Sequence, residues 1–414
     1  MGVNSNGTVM MDQGVFEGLG SVTWDTTAKT TGFTAVSGNG YFVNTTSGAI
    51  TVTLPATPSA GDVVGIKDYA NTADTNAITI GRNGSNIDGT AADFQITTEG
   101  LSALLVYVDA TKGWLITNSS QASDIQQNIK FVTATGGTIA TVGDYKIHSF
   151  TGPGTFTVTC AGNPAGSNSV DYLVVAGGGG GGAGPNTSYS GGGGAGGFRL
   201  NTALPVSVQG YPITVGGGGP AGSNGSNSVF SSITSTAGGA GGNGGGPVGD
   251  AGSPGGSGGG GGSSSTAPEI GPTANPGGTG NTPPVSPPQG NNGGYGQHQP
   301  GVSGQQGGGG GASQTGFNGD IPFTPTSGDG GDGSPAAPVF GASPQPFYGP
   351  TNGVYAGGGG GMGDNPGEGG TGGGGTAGPG PGGGGTAGTT NTGGGGANGA
   401  SGGSGIVLIK YKYQ

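Results

Sequence analysis

Residues 171–182 read DYLVVAGGGGGG, so that a strongly apolar run leads directly into six consecutive glycines. Residues 405–413 read GIVLIKYKY, and there glycine gives way to a second apolar run. Both runs are rich in Val, Ile, Leu and Tyr, as many β-strands are. Because they bracket everything that is glycine-rich, we predict that the two runs lie in one sheet and clamp the glycine-rich segment at its base.

The segment between these two runs contains glycine in repeated blocks. The blocks lie at 177–182, 191–194, 216–219, 258–262, 307–311, 357–361, 372–375, 382–385 and 393–396. A flexible linker is one structure that such a composition allows. A collagen triple helix is another, but it needs glycine at every third position, and that register holds only from Gly246 to Gly261. The third is a bundle of polyglycine type II helices.

Polyglycine type II has three residues per turn and no internal hydrogen bonds. Every N–H and C=O group must therefore find a partner in a neighbouring helix. A linker needs neither blocks of similar size nor the apolar residues found between them, such as Phe198, Val229 and Ile233. We therefore predict all-β N-terminal modules followed by a glycine-rich polyglycine type II helix bundle, with essentially no α-helix.

The first part of the chain has the pattern of short strands with polar turns. Residues 49–54 alternate apolar and polar side chains, as a half-buried strand does. Residues 101–108, LSALLVYV, are more continuously apolar, which predicts a strand covered on both faces. A short turn then leads into 114–117, which predicts a hairpin. Further strands are predicted at 62–68 and 77–80.

A second β segment follows residues 121–130, QASDIQQNIK, which we predict to be a helical turn or linker. Residues 145–150 and 155–159 alternate apolar and polar side chains on either side of 151–154, TGPG. Gly and Pro in this arrangement are typical of a turn.

The composition excludes several classes of protein. With 111 Gly and 28 Pro among 414 residues, the chain is unsuited to a helical bundle or a doubly wound α/β enzyme. A net charge of −11 with only nine Lys plus Arg argues against nucleic-acid binding. The single cysteine, Cys160, excludes an intramolecular disulfide and a thiolate metal cluster. Residues 1–20 lack a secretory signal, and no run is long enough to insert into a membrane.

The order of motifs from about 145 to 414 resembles the glycine-rich domain of bacteriophage tail fibres. The motifs are YLVVAG at 172–177, GGGGAGGFR at 191–199, YPITVG at 211–216, GSNSVF at 225–230 and GIVLIKY at 405–411. Upstream, GYFVN at 40–44, LP at 54–55, GDVV at 61–64 and the stretch from YVD at 107–109 to GW at 113–114 resemble a β-domain of marine phage tail fibres. The tip adhesin of T-even phages is a related precedent, although it does not carry such N-terminal modules.

This resemblance implies a non-enzymatic, homotrimeric virion fibre whose tip mediates attachment to the host cell. It would be assembled in the host cytoplasm, joined through its N-terminus to other phage tail proteins, and bound to a host surface polysaccharide or outer-membrane protein. The segments implied are an N-terminal attachment segment at 1–20, a trimerisation-type β domain at 21–120, a linker at 121–130, a β segment at 131–176 forming the base of the tip, the glycine-rich bundle with loops at 177–405 and a C-terminal strand at 406–414.

Between 285 and 355 the glycine blocks spread out and aromatic residues appear among Pro, Gln and Asn. The candidate receptor-binding residues are Tyr295, His298, Phe317, Phe323, Phe340, Phe347, Tyr348 and Tyr355. One interpretation is an exposed recognition surface on loops that a rigid scaffold carries. The other is that these aromatics pack against each other and stiffen the longer loops.

No catalytic, cofactor or metal site is predicted. His148, in an alternating strand, is interpreted as an ordinary surface or interface residue. Asp329 and Asp332, in GDGGDG at 328–333, lack the full ligand spacing of a cation loop and are interpreted as a solvated turn. Two other functions stay open. One is an ice-binding protein built on a similar bundle, and the other is a purely structural fibre or spike protein without a receptor.

Overall fold

The computed structural model describes residues 2–3, 9–10, 22–117, 125–127, 129–184, 189–271, 273, 275–299, 302–320, 327–378 and 383–414. The chain divides into two compact units, 1–130 with 162–167 and 131–161 with 168–414. The regular structure is almost all β, with 31% strand and 2% helical residues. The described helical residues are one short α-helix, α1 (Ala337–Phe340), one 3₁₀ turn (Gly349–Thr351) and Tyr189, which also has 3₁₀ geometry. The expectation of an all-β chain with essentially no α-helix is thus confirmed for the described residues.

The first unit is a sandwich of two five-stranded sheets. Its strands are β1 (Gly2–Val3), β2 (Val9–Met10), β3 (Thr23–Lys29), β4 (Phe33–Thr34), β5 (Asn39–Val43), β6 (Ile50–Thr53), β7 (Val63–Asp68), β8 (Ile78–Gly81), β9 (Phe94–Ile96), β10 (Ser102–Asp109), β11 (Gly113–Ile116) and β12 (Ile125–Gln127). The sheet orders are β11-β10-β7-β5-β3 and β12-β9-β8-β6-β4, while β1 and β2 pair with each other. Residues from both five-stranded sheets, including Ile66 and Ile80, form one buried apolar core.

The strands predicted in this unit are found within a residue or two, and the hairpin is confirmed by the pairing of Tyr107 with Trp114. Two predictions are wrong. The strand at 101–108 is not covered on both faces, because Leu105 is buried while Val108 is 36% exposed. Within 121–130, the helical turn is wrong, because the described residues Ile125–Gln127 form a strand that pairs with β9, and so short a helix would be marginal. The alternative of a linker stays a prediction.

The second unit contains another two-sheet sandwich and two short strand pairs. Its strands are β13 (Val132–Thr135), β14 (Thr138–Val142), β15 (Tyr145–Phe150), β16 (Gly154–Ala161), β17 (Ser169–Val175), β18 (Phe198–Pro205), β19 (Gly210–Thr214), β20 (Ser228–Phe230), β21 (Ile233–Ser235), β22 (Gln297–Gln299), β23 (Val302–Gln305), β24 (Ser334–Pro335), β25 (Val354–Tyr355) and β26 (Ile406–Lys412). The sheet orders are β13-β16-β19-β20-β21 and β14-β15-β26-β17-β18, and β22-β23 and β24-β25 are separate pairs.

The predicted clamp is confirmed. The last strand, β26, lies between β15 and β17 and runs antiparallel to both, with Leu408 opposite Leu173. Val174 and Val407 face the core between the two sheets, while Leu173 and Leu408 face a second apolar cluster on the other side of the same sheet. Both strands are therefore buried on two faces, which explains why their sequences are continuously apolar.

The glycine run 177–182 makes hydrogen bonds with a period of three residues. The N–H groups of Gly177 and Gly180 donate to Ser226 and Ser223. Those of 178 and 181 donate to carbonyls at 403 and 400, and those of 179 and 182 to carbonyls at 194 and 191, over 2.9–3.0 Å. Successive residues thus bond to three different segments, and every third residue returns to the same one. No side chain takes part in these bonds.

The run 191–196 lies at the centre of this arrangement. Its N–H groups donate to segments 239–242, 307–310 and 393–396, and its carbonyls accept from 179–182, 257–260 and 359. A Cβ on Gly193 would lie less than 3.0 Å from the carbonyl oxygen of Gly179. Ala195 is tolerated in this run because its methyl group packs into the apolar cluster on the sheet. Glycine is therefore required where segments meet backbone to backbone.

His148 is fully buried inside the second sandwich, so its interpretation as a surface or interface residue is wrong. Its Nδ1 donates to the carbonyl of Gly136 at 2.7 Å, and its Nε2 accepts from the Tyr411 hydroxyl at 3.1 Å. The ring meets Phe156 edge to face. Burial lowers the pKa of His148 below its ordinary value of 6.5, and the nearby Lys146 lowers it further.

This histidine makes the fold sensitive to acid. Its folded pKa is lower than its unfolded pKa of about 6.5, so the unfolded chain binds more protons in the interval between the two. We expect the melting temperature to fall as the pH drops from about 7.5 to about 5. Calorimetry of the wild type and His148→Gln tests this: the variant should be less pH-dependent. Burial also lowers the pKa of His298, which should add a dependence of the same sign to both proteins. An identical pH profile for both proteins would contradict the assignment.

Candidate binding groove

Four of the eight candidate aromatic residues are buried rather than exposed. Phe340, Phe347, Tyr348 and Tyr355 pack with Leu408 and its neighbours on the outer face of the β14-β15-β26-β17-β18 sheet. The Tyr355 hydroxyl donates to the carbonyl of Tyr348 at 2.9 Å, and burial raises the pKa of Tyr355. Their rings are therefore not available as a recognition surface. They pack against one another, as the second interpretation expected, with the Phe347 and Tyr348 ring centroids 4.8 Å apart, and they also cover a sheet.

Two of the candidates, Tyr295 and Phe317, line an open groove of about 470 Å³ on the glycine-rich unit. Phe317 is 49% exposed and Tyr295 is half-buried. The other lining residues are Asn318, Gly319, Asp320, Ser327, Asp329, Asn365 and Pro366. The groove is concave and combines two aromatic rings with several polar side chains, and such polar groups can fix the orientation of a small ligand.

The backbone lattice holds the aromatic residues of the groove in place. The Tyr295 N–H donates to Asn318 Oδ1 at 3.1 Å, and the Gly319 N–H donates to the Tyr295 carbonyl at 2.9 Å. The Phe317 N–H donates to the Asp329 carbonyl at 2.9 Å. Three neighbouring segments are thus bonded side by side, and each contributes a side chain to the groove. A groove built in this way has its polar and aromatic groups already positioned for a ligand.

The charge of the groove is negative. Asp320 and Asp329 are both exposed, and Lys, Arg and His are absent from the residues that line it. Asp329 Oδ1 accepts from the Glu368 N–H at 2.7 Å, and Asp332 Oδ1 accepts from the Thr371 N–H at 2.9 Å. These two carboxylates therefore bind a neighbouring backbone segment. In the described parts of the chain, no cluster of three or more His, Cys, Asp or Glu side chains is placed to hold a metal ion.

His298 lies outside the groove. It is 6% exposed, and its backbone exchanges hydrogen bonds with Glu269 at 2.7 Å in both directions. Among the described residues its Nδ1 has no hydrogen-bond partner. The Glu269 carboxylate, also buried, accepts from the N–H groups of Gly249 and Ser264 and from the Asn275 amide. His298 is thus part of a buried polar cluster. Phe323, the remaining candidate, lies outside the described residues.

Sequence reasoning missed the polar residues of the groove. Asn318 directly follows Phe317, whereas Asn365, next to Pro366, is far in sequence from the other lining residues. Asn and Asp are expected in any polar loop, so their type alone gave no signal. Only the lateral bonding of the glycine segments brings 295, 317–320 and 365 together.

Comparison with known proteins identifies one family. Residues 150–412, more than half of the chain, match the family described as "Glycine-rich domain". No curated protein matches the chain. Within the described residues, none of the helical turns has the length and apolarity that crossing a membrane requires. The match covers the strands β16–β21 and β26 of the second sandwich, the glycine lattice and the groove, and the chain therefore belongs to the glycine-rich domain family.

Proposed function

We propose that this protein is a non-enzymatic, receptor-binding tail fibre of a bacteriophage, with a rigid tip that attaches to the host cell surface. The observation that carries the proposal is the glycine lattice, which presents the groove on a scaffold built from backbone hydrogen bonds. The order of glycine-rich motifs and the upstream β-domain, which resemble those of tail fibres, support the same function. The N-terminal segment would join other tail proteins in the virion.

We infer that the lattice is a bundle of polyglycine type II helices. Bonding that returns to the same neighbour at every third residue is what three residues per turn require. The six segments around 191–196 support close packing on all sides. Such a lattice offsets the backbone entropy that each ordered glycine loses, about 1–2 kcal/mol. Stiffness matters for a fibre tip, because a preordered site binds without a further ordering cost.

We also propose that the first unit associates into a homotrimer through one face. The outer face of the β11-β10-β7-β5-β3 sheet carries Leu104, Val106, Leu115 and Trp24, whose ring lies against Gly40. The outer face of the other sheet is polar, with Thr51, Thr79 and Gln95. A face rich in apolar side chains is typical of an interface between subunits. Each copy carries a charge of −11, so copies repel one another through their charged surfaces. An apolar face therefore suits their association.

A charge on this face should dissociate the trimer. We expect Val106→Lys to shift the mass measured by light scattering from three chains to one, because a buried lysine at the interface lacks a partner. Thr79→Lys, on the polar face of the same unit, is the matched control and should stay trimeric. Equal masses for wild type and Val106→Lys would contradict this interface.

The function itself is tested with the full chain and a panel of bacterial strains. Fluorescently labelled protein should bind saturably to some strains and not to others, and excess unlabelled protein should compete. Thermal hysteresis of the same preparation should be absent. Hysteresis without binding to any strain would favour an ice-binding protein, and absence of both would favour a purely structural fibre. Either result would overturn the proposal.

A further inference from the structure

We propose that the groove between Tyr295 and Phe317 binds an uncharged saccharide. This inference rests on the proposed receptor-binding function and names the ligand class of its site. A surface polysaccharide and an outer-membrane protein are the two receptor classes that the resemblance to tail fibres implies. The shape, side chains and charge of the groove favour the sugar over a protein.

The first observation is the shape. The groove measures about 470 Å³, within the range of about 300–1,000 Å³ that small-ligand sites have. A protein receptor of standard size would instead bury roughly 800 Å² on each partner, with a largely apolar centre. The groove is concave and mostly polar, and Phe317 and Tyr295 are the aromatic residues among its described lining. It suits one or two sugar rings of a glycan better than a protein surface.

The second observation is the kind of side chains. The exposed face of Phe317 can pack against the C–H groups of a sugar ring. Exposed Asn318 and Asn365 supply amides, and Asp320 supplies a carboxylate that accepts hydrogen bonds from hydroxyls. Asn318 Oδ1 already accepts from the Tyr295 N–H, so its NH₂ group is the part that would donate to a ligand. Sugars, which carry both hydroxyls and apolar C–H faces, match this combination.

The third observation is the charge. The described residues that line the groove include two carboxylates and no basic side chain, and the whole chain carries −11. A phosphate, sulfate or uronate group would be repelled, since like charges placed close together are unfavourable and no cation compensates them. Anionic glycans are therefore excluded by the same residues that hydrogen-bond a neutral one. The ligand class that remains is an uncharged hexose or N-acetylhexosamine unit.

The test is affinity electrophoresis of the full chain through gels that contain one polysaccharide each. Neutral dextran, mannan, galactan and an N-acetylhexosamine polymer are compared with anionic polygalacturonate and polysialic acid. We expect retardation by at least one neutral polymer and by neither anionic one. Phe317→Ala should weaken the retardation about tenfold or more, since burying a phenylalanine ring contributes that much. The control is Val248→Ala, at a 66% exposed position away from the groove, which should behave as wild type.

A second variant tests the role of charge. Asp320→Asn keeps a hydrogen-bonding side chain but removes one negative charge, so neutral binding should persist and exclusion of anionic polymers should weaken. Retardation by anionic polymers alone, or by neutral polymers to the same extent in Phe317→Ala, would overturn the inference.

The ligand class and the receptor function can fail separately. Strain-dependent cell binding without binding to any neutral glycan would contradict the proposed ligand class but support the receptor function. Binding to a neutral glycan without binding to any cell would support the ligand class but contradict the receptor function. If the free glycan competes with cell binding, the receptor is a surface polysaccharide. If only envelope protein competes, the sugar is carried by a protein.

Discussion

Gly193→Ala is expected to destabilise the second unit by about 3 kcal/mol or more. Gly193 lies in the run that six segments surround, where its N–H donates to the Gly396 carbonyl at 2.8 Å and its carbonyl accepts from Gly359. The new Cβ would stand within 3.0 Å of the Gly179 carbonyl oxygen. To make room, two segments must separate and lose the hydrogen bonds that join them.

The matched control is Gly217→Ala. Gly217 belongs to another block of four glycines, but a Cβ there would meet no atom within 4 Å. Replacing glycine where the backbone permits it stabilises a protein by about 0.4–1 kcal/mol, because the unfolded chain loses freedom. Thermal and urea unfolding of both variants should therefore give changes of opposite sign. Equal effects from the two substitutions would mean that the segments are not packed backbone to backbone.

Leu408→Ala should have a similarly large effect, a loss of about 3–5 kcal/mol. Leu408 is fully buried in the central strand β26, pairs with Leu173 and contacts the cluster that contains the four buried aromatics. Removing three carbon atoms there leaves a cavity between a sheet and a rigid lattice, neither of which can collapse easily. Because β26 fixes the end of the glycine-rich segment, protease cleavage within 177–405 should also increase.

Val208→Ala is the control for Leu408→Ala. Val208 is in the same unit but is 63% exposed, so its truncation should change the free energy of unfolding by less than about 0.5 kcal/mol. Urea unfolding, followed by far-UV circular dichroism, measures the change in the free energy of unfolding. Limited proteolysis measures the cleavage within 177–405. A Leu408→Ala protein as stable as Val208→Ala would show that the last strand does not clamp the fold.

The strands were predictable because their signal is local. The apolar runs at 171–176 and 406–413 already indicated paired strands at the two ends of the glycine-rich segment, and the structure pairs them. The strand at 101–108 shows the limit of such a signal. Its apolar residues alternate between the core and an outer face, and a single sequence does not say what covers the second face.

The candidate site was only partly predictable, because the contacts that form it are between distant segments. An aromatic residue in a polar loop looks the same whether it covers a sheet, as Tyr355 does, or lines a groove, as Phe317 does. The difference depends on which glycine segments lie side by side. Glycine blocks carry little information about that order, since every block offers the same backbone groups to its neighbours.

Hydrogen exchange of the glycine amides, resolved by NMR in the full chain, tests the lattice most directly. We expect the amides of 191–196 to exchange about a thousandfold or more slower than in an unstructured peptide, as slowly as those of β17 and β26, because each is bonded within the interior. Exchange of these amides at the unprotected rate, with β17 and β26 still protected, would contradict a core made of backbone.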